Sequence, residues 1–140
     1  MKLKASLLVI LSLTIFACGK DNTSDLVPSV PVTFQAPLTD PRISKLNSVG
    51  NAVIVNGYGV AGLLIYREPD GSYAAYDRCS SYNPQNKCAV TIDDTGFTVT
   101  DPCSGSKFSL TDGTPVKAPA TKSLRIYDAY VSNFQLFVTN

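Results

Sequence analysis

Hydrophobic and polar positions alternate along this chain in short runs that turn residues keep interrupting. Residues 32–35, VTFQ, alternate and stop before Pro37. Residues 51–55, NAVIV, form the next run, closed by the turn residues Asn56, Gly57, Tyr58 and Gly59. Residues 60–67, VAGLLIYR, are apolar nearly throughout, which predicts a central strand buried on both faces. Pro69-Asp70-Gly71 supplies a hairpin turn. The returning strand, residues 73–77, sets Tyr73 and Ala75 on one face and Ala74 and Tyr76 on the other. Residues 88–92 and 97–100 flank a turn at Asp93–Gly96, and residues 108–110 form a short strand. Residues 124–129 and 134–138 form a last hairpin turning at Ser132-Asn133. Residues 43–46 suit either a short strand or a helical turn, and residues 115–120 read as irregular. Neither a helical heptad nor an internal repeat is present. Strands at this spacing predict an all-β domain of packed antiparallel sheets, a small sandwich or barrel.

Composition narrows the class. The 140 residues are 16% charged and 44% hydrophobic, enough for one small folded domain. The formal charge is +1, with no basic face for nucleic acid. Histidine is absent, which removes the commonest general base and the commonest metal ligand together. The N-terminus adds an address. MKLKASLLVILSLTIFAC opens with two lysines and continues with an apolar run of signal-peptide length. Its end, Ile15-Phe16-Ala17-Cys18, resembles the lipobox of bacterial lipoproteins. That resemblance implies a signal peptide over residues 1–17 and lipidation of Cys18. The polar, proline-containing stretch that follows reads as a tether, so that the lipidated N-terminus and tether span residues 18–31, and the strand pattern places the β domain over residues 32–140. Residue 19 is Gly rather than Asp, so an inner-membrane retention signal is missing. The expected location is the cell envelope, at the outer membrane or surface of a Gram-negative bacterium, with the membrane as partner through the lipid anchor.

The candidate chemistry lies in two loops. Residues 103–127, CSGSKFSLTDGTPVKAPATKSLRIY, resemble the second half of a Rieske iron–sulfur domain. That family carries Cys-Pro-Cys-His-Gly-Ser, an aromatic, a glycine turn, a Pro-Ala pair and a Leu-x-x-Tyr strand. Pro102, Cys103, Gly105, Ser106, Phe108, Gly113, Pro119-Ala120, Leu124 and Tyr127 stand in register with it. Residues 76–81, YDRCSS, resemble the strand entering the family's first loop, and Cys88 matches the cysteine closing that loop. The upstream segment is similar to a subgroup of Rieske-like envelope lipoproteins. The resemblance covers roughly residues 50–130 and implies a small Rieske-like fold with a cluster-binding-type subdomain.

The departures shape the functional expectation. A Rieske cluster is held by two Cys on one iron and two His on the other. By resemblance those four positions are Cys79, Ser81, Asp101 and Ser104, of which Cys79 alone is a good ligand. The expectation is therefore a degenerate domain with no cofactor and no metal. In respiratory members of the family a disulfide ties the two loops, and its positions match Cys88 and Cys103; Cys79 paired with either remains open. The expected function is a non-enzymatic structural or binding role in the envelope, with an unidentified envelope protein as a possible partner. The alternative is electron transfer, with a 2Fe–2S centre on Cys79, Cys88, Cys103 and Asp101 in place of the disulfide. Other chemistry finds no support. Ser104-Gly105-Ser106 has no companion base for nucleophilic catalysis. Asp93, Asp94 and Asp101 suggest calcium only if Asp93–Gly96 is not simply a turn.

Overall fold

A computed structural model describes residues 26–140. The signal peptide expected over residues 1–17, the lipidation expected at Cys18 and most of the expected tether lie outside these residues. The last part of the expected tether is docked onto the domain. Val27 is buried, and its carbonyl accepts hydrogen bonds from Arg125 Nε and Nη2 at 3.0 and 2.6 Å. Asn140 donates its side-chain amide to the Val30 carbonyl at 2.7 Å.

Ten strands follow in order: β1 (Thr33–Pro37), β2 (Ala52–Val55), β3 (Leu63–Arg67), β4 (Tyr73–Asp77), β5 (Thr91–Ile92), β6 (Thr98–Thr100), β7 (Lys107–Ser109), β8 (Pro115–Lys117), β9 (Ile126–Ser132) and β10 (Gln135–Thr139). They form an antiparallel six-stranded sheet in the order β1-β10-β9-β4-β3-β2 and a four-stranded sheet in the order β5-β6-β7-β8. The all-β, two-sheet architecture expected from the strand spacing is the one observed. Residues 44–47 form a 3-10 turn rather than a strand. Pro37 ends β1 without breaking it, because β1 lies at the sheet edge, where a proline need not supply a ladder hydrogen bond. The last hairpin turns one residue later than its composition suggests, at Asn133 and Phe134, whose φ angles of 49° and 59° belong to a type I′ turn.

Strand β3 divides two cores, as its unbroken apolar run predicts. Leu63 and Ile65 face one cluster with Phe34, Leu46, Val53 and Leu136. Leu64 and Tyr66 face the other, with Tyr76, Val99, Phe108 and Leu110. Each fully buried Leu or Ile contributes about 1.5–3 kcal/mol, so this strand fastens the large sheet to the small one. Tyr76 strengthens that joint by donating its hydroxyl to the Leu110 carbonyl at 2.9 Å. The joint matters for function because one loop of interest crosses it, from β4 to β5, and the other joins β6 to β7 in the small sheet.

Candidate functional site

The first loop leaves β4 at Asp77 and returns into β5. Its base is zipped by backbone bonds from Ser80 N–H to the Cys88 carbonyl at 2.7 Å and from Val90 N–H to the Arg78 carbonyl at 2.8 Å. Asn83 and Lys87 sit in left-handed conformation around a 3-10 turn at Pro84–Asn86. The second loop joins β6 to β7 and is tighter. Asp101 N–H donates to the Ser106 carbonyl, and Gly105 N–H to the Asp101 carbonyl, both at 2.8 Å. Gly105, at φ 77°, lets the chain turn back at once.

A disulfide between Cys88 and Cys103 joins the loops across a sequence separation of 15. Cys103 is exposed and Cys88 half-buried, so the sulfur pair lies at the tip. Below it lies Asp101, fully buried. Its Oδ2 accepts the hydroxyls of Ser80 at 2.7 Å and Ser104 at 2.6 Å, and its Oδ1 accepts the Cys103 N–H at 2.8 Å. The network runs on, since Ser104 Oγ and Ser106 Oγ lie 2.9 Å apart and Ala120 N–H donates to Ser106 Oγ at 2.9 Å. Asp101 thus gathers the first loop, the second loop and the Pro119-Ala120 segment around one carboxylate.

Burial pushes the Asp101 carboxyl upward, but the Ser104 and Ser80 hydroxyls and the Cys103 and Ser104 amides together outweigh it and hold the group below its usual value. A carboxyl lowered in the folded chain contributes stability above its unfolded value and loses that contribution as pH falls through its folded value. The urea midpoint of the protein is therefore expected to drop between about pH 5 and pH 2. Asp101→Asn should drop less over the same window; equal slopes for the two proteins would contradict this account. The comparison is needed because Asp40, Asp70, Asp93 and Asp112 are lowered too.

The four positions matched to Rieske ligands do not form a ligand set. Asp101 and Ser104 meet, but as acceptor and donor of one hydrogen bond. Ser81 gives its hydroxyl to the Lys122 carbonyl at 2.5 Å. Cys79 is a free, fully buried thiol whose sulfur lies 3.7 and 3.6 Å from the carbonyls of Ser80 and Pro84. Burial, with Asp77 and Asp101 nearby, pushes that thiol up to about 11, away from the thiolate a metal needs. These residues do not fit a 2Fe–2S unit held in the family's manner. The metal-ligating groups that do converge are different ones: the ligand atoms of Cys88, Asp101 and Cys103 lie within 4.8 Å of one another. Cys79, the fourth member of the non-standard set considered from sequence, is outside this group. The calcium constellation does not form among the described residues: Asp93 instead binds Lys107 Nζ at 2.6 Å and the hydroxyls of Thr98 and Thr100.

Sequence reasoning missed Ser80 and Asp77. Ser80 lies between two ligand positions of the motif and is not one itself, yet it carries the bond between loops. Asp77 reads as a mere charge beside Arg78, whereas it is fully buried and organises the entry to the first loop. The adjacent small polar residues Ser80 and Ser81, so close to an apolar strand, were the available signal.

No protein-family model matches the chain. It is 30% identical over 84 residues to a curated protein, ferredoxin CarAc of Metapseudomonas resinovorans, covering 60% of this chain and 76% of that one. Among solved structures it resembles the plasma membrane Rieske protein PetC3 from Synechocystis PCC 6803, with a TM-score of 0.53 at 21% identity, covering 79% of this chain and 98% of that one. It also resembles the ferredoxin of carbazole 1,9a-dioxygenase from Nocardioides aromaticivorans IC177, with a TM-score of 0.48 at 21% identity, covering 79% of this chain and 97% of that one.

The likeness to a curated ferredoxin corrects two expectations. The cofactor-free domain inferred from counting ligands is not supported by a relative that is itself a ferredoxin. The same likeness counts against a structural or binding role as an envelope lipoprotein and favours the alternative reading, electron transfer. Across its shared length with ferredoxin CarAc, and with the two-sheet fold and loop pair described above, the chain belongs to the Rieske-type ferredoxin family.

Proposed function

We propose that this protein transfers electrons, exchanging them with a protein partner at the tip of its two loops. One observation carries the reading: a chain related to a ferredoxin presents an accessible sulfur pair, Cys88 and Cys103, at that tip. Rigid support suits such a role. The loops are held by the disulfide, the Asp101 network and the Tyr76 joint, so little reorganises when a partner docks.

Voltammetry of the full-length protein, purified without oxygen, tests the proposal. A reversible couple is expected that Cys88→Ser with Cys103→Ser abolishes. The electron count then identifies the carrier, because a thiol–disulfide couple takes up two electrons and an iron–sulfur centre one. Iron and labile sulfide content, read on the same sample, assigns a one-electron couple. Absence of any reversible couple in folded protein would overturn the proposal.

A further inference from the structure

We propose that the Cys88–Cys103 disulfide is the closed form of a metal site, and that its reduction lets Cys88, Cys103 and Asp101 bind one soft divalent cation such as zinc. The three groups already converge, with ligand atoms within 4.8 Å of one another. In a tetrahedral zinc site the metal–sulfur distance is about 2.3 Å and the metal–oxygen distance about 2.0–2.2 Å. Ligand atoms of such a site are then roughly 3.5–3.8 Å apart. The two sulfurs need only part by side-chain rotation to reach that spacing, and the exposure of Cys103 leaves room for it.

Chemistry favours a thiophilic cation. Two thiolates and one carboxylate suit zinc better than calcium or magnesium, which prefer oxygen alone. The carboxylate is positioned before any metal arrives. Ser80 and Ser104 donate to one of its oxygens and the Cys103 amide to the other. Outer hydrogen bonds of this kind fix a ligating carboxylate and raise affinity. A fourth position would face solvent beside Cys103 and take a water.

The step balances as follows. An external dithiol delivers two electrons and two protons, becoming a disulfide, while the Cys88–Cys103 bond breaks to give two thiols. The cation then displaces both thiol protons to solvent as the two metal–sulfur bonds form. The oxidised protein offers Asp101 alone and should not retain the ion. The inference does not rest on electron transfer, since metal binding to the reduced protein stands or falls without any partner.

Cobalt titration tests it, with Co2+ as the coloured stand-in for zinc. The full-length protein carrying Cys18→Ser is reduced with a dithiol, freed of it by gel filtration without oxygen, and titrated. One equivalent of Co2+ should bind with a sulfur-to-cobalt charge-transfer band, and zinc should bleach it. The same protein left oxidised should show no band. Cys79→Ser should leave the band unchanged, and Asp101→Ala should weaken binding about tenfold or more. No band after reduction, or a band lost in Cys79→Ser, would overturn the site. Should Asp101→Ala not fold, the oxidised and reduced forms of the parent still decide the matter.

Discussion

Replacing Asp77 with alanine should cost this domain about 4 kcal/mol, a large fraction of the roughly 5–15 kcal/mol that holds a protein folded. Asp77 is fully buried. Its Oδ2 accepts the Val60 N–H at 2.6 Å and the Tyr127 hydroxyl at 2.8 Å, and its Oδ1 accepts the Ala61 N–H at 3.1 Å and the Cys79 N–H at 2.8 Å. Removing the carboxylate strands four donors. A buried donor left without an acceptor costs about 1–3 kcal/mol, and water entering the space recovers part of that. The donors come from three parts of the chain: the turn before β3, the first loop and β9. Gly59 is part of the same arrangement. At φ 62° it packs so closely on Asp77 and Tyr127 that a Cβ there would overlap both side chains. Urea unfolding is the direct measurement. Tyr127→Phe, which removes one donor, should lose about 1.5–3 kcal/mol, the range for a hydrogen bond to a charged group. An Asp77→Ala midpoint close to the parent's would show that the turn and loop are held by other contacts.

What the sequence revealed and what it concealed divide along the same physical line. Residues 63–67 could be placed because burial on both faces writes itself as a continuous apolar run. The hairpin at Pro69-Asp70-Gly71 was legible because turn geometry demands particular residues. Strand ends were less so: Leu124 looks like the start of β9, yet its N–H bonds to Gly113 from a loop, and the strand begins at Ile126. The residues of the site were recognisable as a motif, but their roles were not. Asp101 and Ser104 look like lost ligands when each is compared singly with a cysteine and a histidine. In space they satisfy each other, with Ser80 and Ser106 completing the network. A one-dimensional motif records which positions face a site and leaves out which of them touch. That is why the converging trio of Cys88, Asp101 and Cys103, drawn from two loops, emerged only with the fold.

Removing the disulfide should have the next largest effect, about 3 kcal/mol for a closed loop of roughly 15 residues. In the chain-entropy view the bond acts on the unfolded state, which it deprives of conformations, and the closed segment here includes β5 and β6. Those strands have two and three residues and pair in one short ladder. So little local structure cannot keep the loops together by itself. The prediction is a lower urea midpoint for Cys88→Ser with Cys103→Ser than for the parent. A dithiol should lower the parent's midpoint similarly and leave the double variant unmoved. Zinc added to the reduced parent should restore part of the loss if the metal site forms, because a ligand that binds only the folded state stabilises it. Indifference of the parent to reductant would mean that the Asp101 network alone fixes the tip. The two devices share Cys103, whose sulfur is in the bond and whose amide donates to Asp101, so their effects should not simply add. A double-mutant cycle between Asp101→Asn and the cysteine pair would measure that coupling. Its size reports how far the covalent tie and the buried carboxylate act as one clamp on the loops where electrons or metal would be exchanged.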